Sequence, residues 1–261
     1  MNDNPKVVGI FLAAGFATRM YPLTKDQPKS LLEVGGAPLL TRLIHQVEAT
    51  GLVEDVIVVH NTLFAPAFRE WHLNLDSELS VRLIDDGTTH PQERLGALAD
   101  LALGLSESTA SPPAGYLVAA ADNCLCFSLD DPLRQYLTHG DPLLLWRSVP
   151  LPVPPSTYSD VEVDEQGLVT TFTEKPANPR GNKSAIACYL LPQNLPDLLK
   201  AYLDNSENHD APGHFIAWLV NRQKVRAHPI DGPWYDIGNS EGLEAARAAL
   251  ADDEPPVESL P

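Results

Sequence analysis

The chain has 261 residues, of which 44% are hydrophobic and 20% charged, and its formal net charge is −17. This size and balance fit a globular α/β protein with one large core and exclude a disordered or fibrous chain. The negative charge argues against DNA or RNA as a partner, because binding a phosphate backbone requires positive charge. No stretch has the ~18 apolar residues of a membrane span, and the opening MNDNPK lacks signal-peptide features, so we expect a cytoplasmic protein with no membrane partner.

Strand-like and helix-like segments alternate through the first half of the chain. The predicted strands are KVVGIFL, DVIVVH, LSVRLI and GYLVAAADN, and the predicted helices cover residues 38–50, 65–73 and 93–105. This alternation predicts an α/β fold with a doubly wound, mostly parallel, Rossmann-like sheet. Ligands gather at the carboxyl ends of the strands in such sheets, and there we expect the loop after the first strand and Asp122.

The second half of the chain has a different pattern. SDVEVDEQGLVTTFTEKP reads as two short strands around a turn, SAIACYLL and VRAHPI as further strands, and residues 195–204 and 213–223 as helices. Ser240 is the expected N-cap of a last helix. We therefore predict one domain over residues 1–250, with a smaller hairpin-containing substrate side, and a flexible acidic, proline-containing tail over residues 251–261.

The loop after the first strand is unusual because small residues, AAGFAT, are followed by Arg19, Lys25 and Lys29. It has neither the Gly-Lys-Ser/Thr of a Walker loop nor the three glycines of a dinucleotide fingerprint. The remaining interpretation is a turn whose backbone N–H groups face phosphates, with lysine and arginine supplying charge. Chance clustering of cations on a solvated surface is the alternative.

Four motifs in order carry a resemblance to a known family. LAAGFATRMYPLTKDQPKSLLEV resembles the signature of the sugar-1-phosphate nucleotidylyltransferases, which include the glucose-1-phosphate thymidylyl- and uridylyltransferases. VAAADN, FTEKP and WYDIGN are similar to the later motifs of that family, and TTHPQERLGALAD falls where the family places its base-reading loop and helix. The similarity covers about residues 7 to 247.

The resemblance implies Mg2+-dependent transfer of a nucleotidyl group from a nucleoside triphosphate to a sugar 1-phosphate, giving a nucleotide-sugar and pyrophosphate. It implies catalytic roles for Arg19, on the departing phosphates, and for Lys29, on the α-phosphate. Such chemistry depends mainly on positioning and charge neutralisation. The implied nucleotide-binding residues are Leu12, Ala13, Ala14, Gly15, Thr18, Asn61, Arg94 and Gly96.

The resemblance also implies that Asp122 and Asp236 hold the metal, while Glu174 and Lys175 bind the sugar phosphate. Mg2+ is a hard cation that suits a few carboxylates together with phosphate oxygens. Each aspartate has a simpler alternative as a cap or turn residue. Asn61 could likewise cap the next helix, Arg94 could lie in solvent, and Gly96 is expected to allow close approach of the base.

Four positions depart from the family pattern, namely Ala17, Ser159, Ala187 and Asn239, and the base-reading loop lacks a Gln-Pro-x-Pro-x-Gly run. The sugar and the base therefore do not follow from the motifs, and oligomeric state is not indicated. A cytidylyltransferase acting on phosphocholine or a phosphonate is a second hypothesis. A non-catalytic nucleotide-sugar sensor is a third, which the loss of either metal acid would have favoured.

Overall fold

The computed structural model describes residues 5–108, 113–206 and 208–251. The predicted tail therefore lies outside the described residues, apart from residue 251. The strands are β1 (Val7–Leu12), β2 (Glu33–Val34), β3 (Ala37–Pro38), β4 (Val53–His60), β5 (Ser80–Asp85), β6 (Gly115–Ala120), β7 (Asn123–Leu125), β8 (Leu143–Ser148), β9 (Ser159–Val163), β10 (Val169–Thr173), β11 (Lys183–Pro192), β12 (Arg226–Pro229) and β13 (Trp234–Asp236). The α-helices are α1 (Leu39–Thr50), α2 (Ala65–Leu73), α3 (Ala97–Ser106), α4 (Asp130–His139), α5 (Leu195–Leu203), α6 (Pro212–Val220) and α7 (Ser240–Ala249).

A nine-stranded sheet organises the chain in the order β10-β9-β11-β6-β1-β4-β5, with β8 between β11 and β12. Strands β6, β1, β4 and β5 run parallel, whereas β11 pairs antiparallel with β6, β8 and β9. The predicted α/β fold is confirmed, and the predicted hairpin is the antiparallel pair β9–β10. The carboxyl ends of β1, β4 and β6 meet at one edge, because parallel strands share a direction.

Helices cover both faces of this sheet. Alternate residues of β1 point to opposite sides, so Phe11 packs with α1, α2 and α4 while Ile10 packs with α3, α5 and α6. Burying both faces explains why the parallel strands are almost continuously apolar. Within the described ranges, no helix combines the length and the apolar character needed to cross a membrane.

Two predicted helix starts are wrong by a few residues. The helix predicted from residue 93 begins at Ala97, because Gly96 has φ 94° and residues 91–93 form a separate 3-10 turn. The N-cap of α7 is Asn239, whose side chain accepts a hydrogen bond from the backbone N–H of Gly242 at 2.8 Å, and Ser240 is the first helical residue. Helix α4 and strand β8 were not predicted.

A third, smaller core lies beside the sheet edge and joins segments that are distant in the chain. It contains Met20, Leu32, Val34, Leu39, Cys124, Ile237, Leu243 and Ala246. The two-stranded antiparallel ladder β7–β13 lies in it, pairing Asp236 with Asn123. This core thereby packs the opening loop and α7 against the segments that carry Asp122 and Asp236.

Candidate active site

A cavity of about 450 Å3 opens at the carboxyl ends of β1 and β6. Most of the residues expected to bind the nucleotide or act in catalysis line it, together with Asp122. These residues are Leu12, Ala13, Ala14, Gly15, Thr18, Arg19, Lys29, Arg94, Gly96 and Asp122. Asn61, Asp236, Glu174 and Lys175 are not among the described residues that line it.

The opening loop is shaped by hydrogen bonds within its own backbone. Ala17 adopts the left-handed conformation with φ 48°, and its carbonyl accepts hydrogen bonds from Thr24 Oγ1 at 2.8 Å and from the N–H of Met20 at 2.9 Å. A residue other than glycine pays roughly 1–2 kcal/mol for that conformation. Ala17 thus keeps the glycine-like backbone of the family motif and starts the 3-10 turn that presents Arg19.

Gly15 and Asn61 have different relations to this loop. A Cβ built on Gly15 would meet nothing within 4 Å in the described part of the protein, so internal packing does not require the glycine. Asn61 is fully buried; its Nδ2 donates to the Ala14 carbonyl at 2.9 Å, and its Oδ1 accepts from the N–H of Phe64 at 3.0 Å. Instead of facing the cavity, Asn61 braces the loop from beneath and caps the next turn.

The cations and acids of the motifs meet at this edge. Lys29 Nζ forms an ion pair with Asp122 Oδ2. Desolvation raises the pKa of Asp236, and the nearby charge of Asp122 raises it further, whereas Lys29, Lys175 and Arg19 lower it. By surface area Asp236 is exposed, so solvent still reaches this residue. Two carboxylates and three cations therefore share one electrostatic neighbourhood.

Hydrogen bonds of Trp234 and Asn123, here called the clamp, join the two segments that carry Asp122 and Asp236. Trp234 Nε1 donates to Asn123 Oδ1 at 2.7 Å, and Asn123 Nδ2 donates to the Ala120 carbonyl at 3.0 Å. Arg147 Nη1 donates to the Trp234 carbonyl at 3.0 Å, and its guanidinium lies 5.6 Å from the Trp234 ring centroid. The motifs did not single out Asn123 or Arg147, although Asn123 directly follows Asp122 in the sequence.

The donor set suits a divalent cation such as Mg2+. Asp122 and Asp236 repel each other's ionised forms, and a positive ion between them would relieve that repulsion. Across the described ranges, no group of three or more His, Cys, Asp or Glu side chains is arranged to hold a metal. Two carboxylates alone fit Mg2+, which commonly keeps waters and takes further oxygens from substrate phosphates.

The expected sugar-phosphate residues lie beside the cavity, on the hairpin side. Ser159 Oγ donates to Glu174 Oε2 at 2.5 Å, which ties β9 to the end of β10. A Cβ on Gly213 would lie 1.9 Å from Glu174 Oε2, so α6 approaches this carboxylate closely because residue 213 is glycine. Lys175 is exposed, has φ 40° and acts on Asp236 electrostatically.

The base-reading segment forms another wall. Arg94 Nη2 pairs with Asp210 Oδ2 at 2.8 Å, and both side chains are well exposed at the cavity rim. A Cβ on Gly96 would come 2.8 Å from the His209 carbonyl, which also accepts from the N–H of Leu98 at 3.1 Å. The close approach that requires a glycine here is made by the backbone of His209.

Asp100 was not singled out from the sequence, yet it lines the same cavity. Its side chain is buried, and its Oδ1 has no hydrogen-bond partner in the part of the chain that the structure describes. Burial raises the pKa of this carboxyl to about 7, with a smaller contribution from the negative charge of Asp86. Acids in a first helical turn are common, so the sequence offered no distinguishing signal.

Comparisons with known proteins agree with this architecture. The sequence profile described as nucleotidyl transferase matches residues 8–253. A glucose-1-phosphate thymidylyltransferase of Streptomyces griseus is 24% identical and aligns with 96% of this chain and 68% of its own. A mannose-1-phosphate guanylyltransferase of Mycobacterium tuberculosis is 27% identical, with 94% of this chain and 65% of the relative aligned. The catalytic subunit beta of a mannose-1-phosphate guanylyltransferase from Drosophila pseudoobscura is 29% identical, with 88% of this chain and 58% of the relative aligned.

Solved structures share the fold. A UDP-glucose pyrophosphorylase complexed with UDP-glucose superimposes with a TM-score of 0.77 at 19% identity, over 95% of this chain and all of the other. A UTP-bound UGPase from Acinetobacter baumannii superimposes with a TM-score of 0.76 at 18% identity, over 97% of this chain and 95% of the other. The chain spans 58% to 68% of the length of the three curated relatives. The match over nearly the whole chain confirms the resemblance seen in the motifs: the chain belongs to the nucleotidyl transferase family.

Proposed function

We propose that the protein transfers a nucleotidyl group from a nucleoside triphosphate to a sugar 1-phosphate, in a reaction that requires Mg2+. The observation that carries this proposal is the convergence of Lys29, Asp122 and Asp236, with Arg19, beside one cavity at the sheet edge. The names of the thymidylyltransferase and guanylyltransferase relatives support the same reaction class.

In this reaction a phosphate oxygen of the sugar 1-phosphate attacks the α-phosphorus of the triphosphate. The new bond joins that oxygen to the α-phosphorus, the bond from the α-phosphorus to the bridging oxygen breaks, and pyrophosphate leaves with the electron pair. The attacking oxygen is already an anion, so no general base is needed. The protein must instead bring two anions together, which takes positioning and neutralising charge.

The residues of the opening loop have complementary tasks. Arg19 would hold the departing β- and γ-phosphates, with loop amides from Gly15 to Thr18 sharing that charge. Lys29 would act on the α-phosphate. Lys29 and its ion-pair partner Asp122 both line the cavity. Asn61 keeps the loop in place through the Ala14 carbonyl.

Asp122 and Asp236 would hold Mg2+, which when bound neutralises charge on the phosphate oxygens. The clamp formed by Trp234 and Asn123 joins β13, which ends at Asp236, to β7, which begins directly after Asp122. Lys175 would bind the phosphate of the sugar substrate. Glu174, oriented by Ser159, would accept hydrogen bonds from sugar hydroxyls.

The direct test is pyrophosphate release with Mg2+, using ATP, CTP, GTP, UTP and dTTP against a panel of sugar 1-phosphates and phosphocholine. Release with a sugar 1-phosphate is the expected result. Asp122→Ala should lower turnover by about 10²-fold or more, as for loss of preorganised charge stabilisation. Asp204→Ala, which removes a carboxylate exposed after α5 and paired with Lys200, is the matched control.

Three outcomes would contradict parts of the proposal. Release only with phosphocholine would make the protein a cytidylyltransferase-type enzyme for small alcohol phosphates. Tight nucleotide binding without release for any pair would indicate a sensor. Near-normal turnover in Asp122→Ala would refute the metal assignment.

A further inference from the structure

Two of the three cysteines in the chain lie in contact beside the acids of the site. Cys124 Sγ and Cys126 Sγ are 3.9 Å apart, and either thiol can donate the hydrogen bond between them. Both are reduced, as is Cys188, which is buried in strand β11. The phosphate chemistry does not use Cys124 and Cys126, here called the thiol pair, so their contact calls for a separate account.

The thiol pair lies within the ladder β7–β13, which pairs Asn123 with Asp236. The N–H of Cys126 donates to the Pro233 carbonyl at 3.0 Å and extends the ladder by one residue. At the other end, the Asp122 carbonyl accepts a hydrogen bond from the N–H that follows Asp236, at 3.3 Å. The thiol pair therefore belongs to the backbone pairing that holds Asp122 beside Asp236.

The two thiols differ in their access to solvent. Cys124 is 2% exposed and lies in the third core with Met20, whereas Cys126 is half-buried and packs at the edge of that core. A thiol enclosed in an apolar core reacts slowly, and one that solvent reaches reacts first. A reagent in solution therefore meets Cys126 first, and Cys124 is in place to react with the product that forms on its neighbour.

A disulfide within the thiol pair requires movement of the backbone as well as of the side chains. Residues two apart in a strand have Cα atoms about 6.6 Å apart, since each residue advances ~3.3 Å. A disulfide most often holds its Cα atoms about 5.5–6 Å apart and its sulfurs about 2.05 Å apart. The strand would have to shorten by up to about 1 Å at Leu125, which is paired with Trp234. Closing the disulfide therefore bends the ladder next to the clamp.

We propose that the thiol pair is a modification site: a small-molecule disulfide such as oxidised glutathione converts Cys124 and Cys126 to an intramolecular disulfide, which bends β7 and displaces Asp236 relative to Asp122. The consequence for the metal and for turnover rests on the proposed function, whereas the covalent step does not. Because coupling between two sites is reciprocal, ligands bound at the two acids should slow the modification.

The covalent step consists of two successive thiol–disulfide exchanges. The Cys126 thiolate attacks one sulfur of the reagent, the S–S bond of the reagent breaks, and one thiolate leaves with the electron pair. The Cys124 sulfur then attacks the Cys126 sulfur, loses its proton to solvent and releases the second thiol. The thiol pair loses two electrons and two protons, and the reagent gains them as two thiols.

The test treats the full chain with oxidised glutathione, removes the reagent, and compares the product with the untreated protein. We expect the thiol count to fall from three to one, with no glutathione retained by mass spectrometry. Affinity for the tightest binder among ATP, CTP, GTP, UTP and dTTP is measured with Mg2+ and with EDTA, and its Mg2+-dependent part should fall about 10-fold. Turnover should fall about 10-fold or more, and dithiothreitol should restore both.

Two variants separate the thiol pair from other effects of the reagent. Cys126→Ser removes the thiol that reacts first, so this variant should keep its turnover and resist the treatment. Cys188→Ala keeps the thiol pair and should respond as the original protein does, because Cys188 lies in β11, outside the ladder. Mg2+ and nucleotide present during the treatment should slow the loss of thiols in the original protein.

Several results would overturn the inference. An unchanged thiol count, or glutathione retained on one cysteine, would show that the thiol pair does not close, and a covalent dimer would show that the disulfide forms between chains. Equal inhibition of Cys126→Ser would place the oxidation elsewhere. Closure with unchanged nucleotide affinity and turnover would refute the link to the acids. A reduced protein that binds no nucleotide and releases no pyrophosphate would overturn the proposed function, and the thiol count would still decide whether the thiol pair closes.

Discussion

Replacing Asp100 with asparagine should stabilise the ligand-free protein, increasingly as the pH rises. Burial, and secondarily the charge of Asp86, raises the pKa of this carboxyl from 3.8 to about 7 in the folded state. The folded protein therefore holds the proton of Asp100 more tightly than the unfolded chain. The contribution of this proton to stability is lost as the pH rises from about 4 through about 7. The shift is about 3 pH units, and at ~1.36 kcal/mol per unit the ionised form costs about 4 kcal/mol.

Asparagine has the shape of the neutral acid and carries no charge to bury. The variant should therefore match the original protein within about 1 kcal/mol near pH 4 and exceed it by up to about 4 kcal/mol above pH 7. Equilibrium urea unfolding of both proteins, at intervals between about pH 4 and pH 9, measures the difference. Glu107→Gln, an exposed substitution just after α3 that serves as the control, should give a curve parallel to the original.

A difference in the free energy of unfolding that stays constant across this range would refute the reasoning, because it would mean that Asp100 titrates alike in the folded and unfolded states. A difference that grows as pH falls would show the opposite linkage, namely that the folded protein stabilises the ionised carboxylate. Neither result depends on any ligand, so this experiment tests the burial of the charge alone.

Three further predictions concern the substrate side, the clamp and the metal. Gly213→Ala would place a methyl group against Glu174 Oε2, so the KM for the sugar phosphate should rise about 10-fold while the nucleotide affinity stays unchanged. Gly181→Ala is the control, because the nearest atom to its methyl group would be 3.7 Å away, and it should leave the KM unchanged. Trp234→Phe removes the hydrogen bond to Asn123 and should cost about 1 kcal/mol of stability in urea unfolding, with turnover reduced more than nucleotide affinity; unchanged stability and turnover would argue against the clamp. Chelation by EDTA should abolish pyrophosphate release and added Mg2+ should restore it, whereas release that survives EDTA would contradict a metal requirement.

The sheet and the opening loop were predictable because their signals are local. The apolar, β-branched runs that became β1 and β4 reflect burial on both faces, and residues 65–73 were predicted as a helix with the observed bounds. The small-residue turn before Arg19 is also a local pattern. Strand β8 and helix α4 were missed although local signals were present, because Asp130 and Asp131 lie in the first turn of α4, Gly140 is its C-cap, and β8 begins with an apolar run.

The site itself depends on contacts between distant segments, which no periodicity encodes. Asp122 and Asp236 come together through the ladder β7–β13, and the sequence alone could relate them only by resemblance to a family. The expectation that Gly96 allows close approach of the base stays a prediction, and the structure adds that the His209 backbone, far along the chain, lies close to it. Asp100 reads locally as an ordinary first-turn acid; its burial and its missing partner arise because α3 lies against the sheet beside the cavity, and that packing is a property of the whole fold.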